Sequence, residues 1–167
     1  LPYGSPESVN VLDAFDRPWP LHDAQQSRRT ENAAAAALPP HTLMQRAGLS
    51  VARLALALAP HAQRIWIAAG PGNNGGDGLE AAMHLRRAGK QVLVSLAGDP
   101  SKMPADAAAS LRRAADAGVT IGEATAAPAD VDLAIDALLG LGATSEPEGA
   151  LAELVRTINT SACPRLA

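Results

Sequence analysis

The chain is 167 residues long, enough for one domain with a real core, and it is 47% hydrophobic but only 2% aromatic, so that core is aliphatic. A net charge of −3 provides no basic face for neutralising phosphates, which excludes a general nucleic-acid binder or a binder of acidic membranes. The single cysteine, Cys163, excludes an intrachain disulfide framework and fits a reducing compartment, and no apolar run approaches the roughly 20 residues of a membrane span.

Residues 1–20 carry Pro2, Pro6, Pro18 and Pro20 without a sustained period and read as an N-terminal extension, leaving 21–167 as the domain. No secretory pattern of charged and then apolar segments is found, so a cytoplasmic location is expected, or an organellar one if a transit segment has been removed. Residues 23–37 are rich in helix formers and stop at Pro39-Pro40. Thr42 and Gln45 offer a capping box to a second helix that Pro60 ends, with Met44, Ala47, Val51, Leu54, Ala55 and Leu58 as its core face. A buried strand is expected over 64–69 and a helix over 79–88 closed by Gly89. A strand over 91–96 follows, then a helix over 104–117 with Pro104 in its first turn and Gly118 past its end. Short strand 119–121, strand 131–137, a helix carrying Leu151, Leu154, Val155 and Ile158, and the start of a strand at 163–167 complete the series. Strands alternating with helices of about ten residues predict an α/β fold, a Rossmann-like three-layer α/β/α sandwich with a mostly parallel sheet.

Between the first strand and the helix after it stands Gly70-Pro71-Gly72-Asn73-Asn74-Gly75-Gly76-Asp77-Gly78. Gly70, Gly72 and Gly75 satisfy G-x-G-x-x-G, but Asp77 reads as an N-cap with Glu80 three residues on, and its carboxylate would compete with a pyrophosphate for the same N–H groups. The amide oxygens of Asn73 and Asn74 and the carboxylate of Asp77 are instead hard donors suited to an alkali or alkaline-earth cation, unless Asp77 only caps the helix. Asp136 sits inside an apolar strand and precedes a flexible loop, where it either serves the site or hydrogen-bonds loop backbone. Asp99 stands where a ribose-binding acid would in an ordinary dinucleotide oxidoreductase. His84 reads as a surface or groove residue and Arg112 and Arg113 as a solvated face. Arg86, Arg87 and Lys90 suit a helix C-terminus.

The glycine run resembles the signature loop of the NAD(P)H-hydrate epimerases, the YjeF N-terminal domain family. Leu43-Met44-Gln45-Arg46-Ala47-Gly48 is similar to that family's L-M-x-x-A-G helix, and Asp136-Ala137-Leu138-Leu139-Gly140-Leu141-Gly142 to its D-A-L-x-G-x-G segment. The resemblance implies epimerisation of the R and S forms of hydrated NADH and NADPH, in partnership with a dehydratase domain or protein. It implies substrate contacts from Asn73, Asn74, Gly75, Gly76 and Asp77, and from Gly140, Leu141, Gly142, Ala143, Thr144, Ser145 and Glu146. It further implies a potassium ion held by Asn74 and Asp136, and a homo-oligomer. The family continues into a D-x-P-S-G-type motif that supplies an acid/base aspartate and a further potassium ligand. Here Pro164-Arg165-Leu166-Ala167 matches the lead-in and the sequence then stops. The chain is therefore expected to be the first part of a longer protein, with no catalytic proton carrier assigned within it and no epimerase activity if it were complete. A non-catalytic binding module of the same fold is the alternative.

Overall fold

The computed structural model describes residues 22–123 and 125–167, so the proline-rich extension lies outside the described residues. Along the chain run α1 (Ala24–Ala36), α2 (Thr42–Leu58), β1 (Arg64–Ala69), α3 (Asn73–Arg87), β2 (Gln91–Leu96), a 3₁₀ turn (Pro100–Lys102), α4 (Ala105–Asp116), β3 (Thr120–Gly122), β4 (Leu133–Ala137), α5 (Gly149–Thr160) and β5 (Arg165–Leu166). The strand order is β3-β2-β1-β4-β5, and every pair is parallel.

The layers follow from side-chain alternation in the strands. Ile65, Ile67 and Ala69 of β1, Val92, Val94 and Leu96 of β2, and Leu133, Ile135 and Ala137 of β4 face a core shared with α2, α3 and α4. Trp66, Ala68 and Ala134 face the other way, under Leu154 and Ile158 of α5. The buried Trp66 indole donates to Ser95 Oγ at 3.0 Å, which satisfies its one polar atom. This is the expected three-layer sandwich.

The packing of α3 departs from expectation. The helix begins at Asn73, not near residue 79, so most of the glycine run is its first two turns. Its glycines are contact points for neighbouring backbone. A Cβ on Gly75 would fall on the carbonyl oxygen of Gly70, and one on Gly76 would lie 2.9 Å from Ala107 Cα and 2.7 Å from Met44 Sδ. One on Gly78 would lie 2.5 Å from Ala137 Cβ. The same closeness corrects the face of α2. The residues it buries are Met44, Gly48, Ala52 and Ala55, while Leu54 and Leu58 are 47% and 66% exposed. Only small residues fit there, since a Cβ on Gly48 would approach the Ala81 amide nitrogen to 2.9 Å.

Two caps also differ. The α2 N-cap is His41, in a left-handed conformation with φ 66° and no side-chain cap, and its ring contacts Asp106 instead. The reciprocal capping box belongs to α1, where the Gln26 amide donates to Asp23 Oδ1 at 2.7 Å and the Asp23 amide to Gln26 Oε1 at 3.1 Å. Nor is Arg113 solvated. Its Nε and Nη2 donate to Glu80 Oε2 at 2.9 and 2.7 Å, and Ser110 Oγ donates to the same oxygen at 3.0 Å. This trio holds a carboxylate that is only 1% exposed between α3 and α4. Lys90 is also buried, its Nζ donating to the carbonyls of Ala62 and Pro60 at 2.6 and 3.2 Å, so it ties β2 to the turn before β1.

Gly75→Ala is expected to cost about 3 kcal/mol or more, because the obstructing atom is a backbone carbonyl that cannot rotate away. Gly72→Ala, with open space around its Cβ, is expected to cost at most about 1 kcal/mol, the loss of a glycine N-cap. Urea-unfolding midpoints of the two variants decide the matter, and equal midpoints would contradict this packing.

Candidate functional site

The connections from β1 and β4 leave the sheet toward opposite faces, β1 running to α3 and β4 to α5. The carboxyl ends of such a neighbouring pair form the crevice where open α/β sheets take ligands. The Gly70 amide donates to Ala137 O at 2.9 Å, and a Cβ on Gly70 would run into the Leu138 carbonyl. With no side chain between them, the two loops leave a cleft of about 550 Å³.

Three elements supply most of the lining of this cleft, with Pro71 and Gly72 of the loop after β1 and Leu151 of α5 completing it. From α3 come Asn73, Asn74 and Asp77, at spacings that share one helix face. From the loop after β4 come Gly140, Leu141, Gly142 and Ala143. The third wall is α1, with Ala24, Ser27, Arg28 and Glu31. The motif now has a physical reading: its asparagines and aspartate face the cleft, and its helical glycines face packed neighbours. Gly75 and Gly76 are buried and do not line the cleft. Thr144, Ser145 and Glu146 are exposed beyond its lining. Asp136 is half-buried at the end of β4, where its Oδ1 accepts from the Leu138 amide at 3.0 Å.

Asp77 does not cap α3. The N-cap is Gly72, without a side-chain cap, and Asp77 lies a full turn further in. Its carboxylate therefore leaves the N–H groups of the first turn unoccupied, contrary to the competition expected from sequence. Burial pushes the Asp77 carboxyl up to about 6, with the charges of Glu31 and Glu80 adding to the effect. Such a group can both hold and release a proton near neutral pH.

The amide of Asn74 donates through Nδ2 to Leu139 O at 3.1 Å. Asn74 Oδ1 and Asp136 Oδ2 are left without hydrogen-bond partners among the described residues. Both are hard oxygen donors anchored to the same Leu138-Leu139 segment, a donor set that fits an alkali cation. Among the described residues no three His, Cys, Asp or Glu side chains converge on a metal position. Asp99 is engaged elsewhere. It caps the 3₁₀ turn, and hydrogen bonds from the Ser101 hydroxyl and amide hold its carboxyl below the usual range. His84 is partly covered on α3, where burial lowers its imidazole's pKa against the opposing pull of Glu80.

Residues 40–167 match the family model described as YjeF-related protein N-terminus. The chain belongs to that family. The NAD(P)H-hydrate epimerase of Pirellula staleyi is 37% identical over 158 residues, covering 88% of this chain and 69% of that protein. The NAD(P)H-hydrate epimerase of Rhodopirellula baltica is 36% identical over 169 residues, covering 95% and 68%. The bifunctional NAD(P)H-hydrate repair enzyme Nnr of Hyperthermus butylicus is 37% identical over 132 residues, covering 75% of this chain and 25% of that protein. The chain thus spans about two thirds of these epimerases and a quarter of the bifunctional enzyme. The fold is shared with the crystal structure of yeast ynu0, at a TM-score of 0.73 and 21% identity over 88% of this chain and 68% of that one.

The α1 wall was not legible as part of a site. Ser27, Arg28 and Glu31 are polar residues on a helix that buries none of its residues, and such a pattern reads as solvent-facing. Only the fold brings them over the family's loops.

The raised Asp77 pKa sets a pH dependence of stability. The folded chain keeps this proton up to about pH 6, whereas an unfolded aspartate releases it near 3.8. The native state binds the proton more tightly between those values, so stability falls as pH rises through them. Asp77→Asn is expected to raise the melting temperature by on the order of 3 °C at about pH 7.5 and to lose that advantage below about pH 4. Thermal melts of both proteins across this range are the check, and a pH-independent difference would contradict the assignment.

Proposed function

We propose that the cleft binds hydrated NADH or NADPH and interconverts its R and S forms, a reading supported by relatives named NAD(P)H-hydrate epimerase. The observation that carries the proposal is a partly covered carboxyl, Asp77, that burial pushes up to about 6 and that shares a helix face with the amides of Asn73 and Asn74 in a cleft at the switch point of the sheet. The two epimers differ at one ring carbon, so interconversion must make that carbon planar and rebuild it. The C–OH bond breaks as the hydroxyl takes a proton and leaves as water, and water adds back on either face of the planar carbon and returns that proton, so atoms balance, no electrons are exchanged, and the chemistry asked of the site is acid/base. Asn73 and Asn74 orient the substrate through amide donors and acceptors, and Asp77 moves the proton. The aspartate that the family resemblance places beyond residue 167 is a separate group.

A potassium ion belongs to this proposal, held by Asn74 Oδ1 and Asp136 Oδ2. When bound it supplies fixed positive charge that offsets developing negative charge on the substrate. A dehydratase acting on the same damaged cofactor is the proposed functional partner, a reading supported by the bifunctional repair enzymes among the relatives. A homo-oligomer is also proposed, supported by the leucines that α2 leaves exposed. The single cysteine supports a cytoplasmic site of action.

The test supplies purified R-form NADPH hydrate to the full-length protein and follows the S form by chromatography. Conversion is expected, rising with potassium. Asp77→Asn is expected to lower kcat at least about 100-fold, the usual worth of a proton-transfer group. Asp136→Ala is expected to abolish the potassium effect. A folded protein that binds the hydrate without converting it would favour the non-catalytic module.

A further inference from the structure

The charged side chains lining the cleft are Arg28, Glu31 and Asp77. Two are carboxylates, and the substrate proposed above carries a pyrophosphate. A polyanion entering a cleft with two acids is repelled unless a cation meets it. Arg28 is the one basic residue lining the cleft among the described residues. It reaches across from α1, so that a Cβ on Gly142 would lie 3.1 Å from its Nη2. Gly142 thus leaves room for the guanidinium over the β4–α5 loop.

Among the described residues no carboxylate lies within ion-pair distance of Arg28 and no acceptor takes its hydrogen bonds. Arg113, Arg86 and Arg165 are committed elsewhere, to Glu80, to Gly118 O, and to the carbonyls of Ile158 and Asn159, whereas Arg28 is set apart from the other unpaired arginines by lining the cleft. Among the described residues, then, the cation at the cleft keeps its donors available. Arg28 also lies ahead of residues 40–167, the stretch that matches the family model, so the family motifs do not assign it.

We propose that Arg28, held over the β4–α5 loop by α1, anchors the phosphate groups of the substrate and thereby seats the hydrated ring beside Asn74 and Asp77. The inference rests on the epimerase reading for the identity of the ligand, and on the cleft alone for its phosphate chemistry. A guanidinium suits this task because its planar fork binds two phosphate oxygens at once.

The experiment is calorimetric titration of the full-length protein with ADP-ribose and with 2′-phospho-ADP-ribose, alongside epimerisation kinetics. Arg28→Ala is expected to weaken ADP-ribose binding about tenfold or more and to raise KM similarly, with kcat changed less than about threefold. Arg28→Lys is expected to recover part of the loss. An equal loss for both ligands assigns Arg28 to the pyrophosphate, and a loss confined to the second assigns it to the 2′-phosphate. Wild-type binding that persists unchanged in Arg28→Ala, with the melting temperature also unchanged, overturns the proposal. Wild-type binding without epimerisation would sink the epimerase reading and leave the Arg28 assignment standing.

Discussion

Everything at the ligand end of this domain depends on a contact between bare backbones. Gly75, in the first turns of α3, sits on the carbonyl of Gly70, and Gly70 sits on the carbonyl of Leu138. Side chains at either position would push α3 away from β1 and push the loop after β1 away from the loop after β4. The nest has two effects. It lets α3 approach the sheet closely enough for Gly78 to pack on Ala137 and Ile67, and it brings Asn74 within hydrogen-bond reach of Leu139 O. A short stretch of glycines thereby sets both the helix packing and the width of the cleft.

The same geometry decides the electrostatics. With Gly72 as N-cap, no side chain caps the first-turn amides of α3. Asp77, one turn in, is left partly covered and close to Glu31 and Glu80, an arrangement that favours its protonated form. Glu80 is paired in the interior, where Arg113 and Ser110 donate to its Oε2. Two carboxylates three residues apart on one helix thus meet different fates. One is neutralised by a dedicated cation in a packed layer, and the other is kept at the cleft with a carboxyl poised for proton exchange. That separation of roles is characteristic of acid/base sites.

Much of the fold was legible because its signals were strong. Apolar β-branched runs at 64–69 and 91–96 marked strands, and Gly89 and Gly118 marked helix ends through the left-handed conformations they adopt at φ 85° and 75°. The start of α3 was not legible, since Asn-Gly and Asp-Gly pairs are turn formers and local propensity pointed to a loop. Close packing against Gly70, Met44 and Ala107 overrode that propensity. The face of α2 was misread for a related reason: hydrophobic periodicity follows large side chains, but where helices touch closely the buried face is made of Gly48, Ala52 and Ala55. The cleft loops stood out through their glycines and amides. Arg28 and Glu31 did not, because nothing local distinguishes a cleft wall from a solvated helix face.

The most direct test of this account is to map where the ligand binds. Titrating isotope-labelled protein with ADP-ribose and following backbone amide shifts would locate it residue by residue. The account predicts the largest shifts at residues 72–77 and 140–143, with smaller ones along α1 and none at the 3₁₀ turn after β2. Perturbations centred on Asp99 and the end of β2, with the β4–α5 loop silent, would mean an ordinary dinucleotide pose and would contradict the assignment of the site.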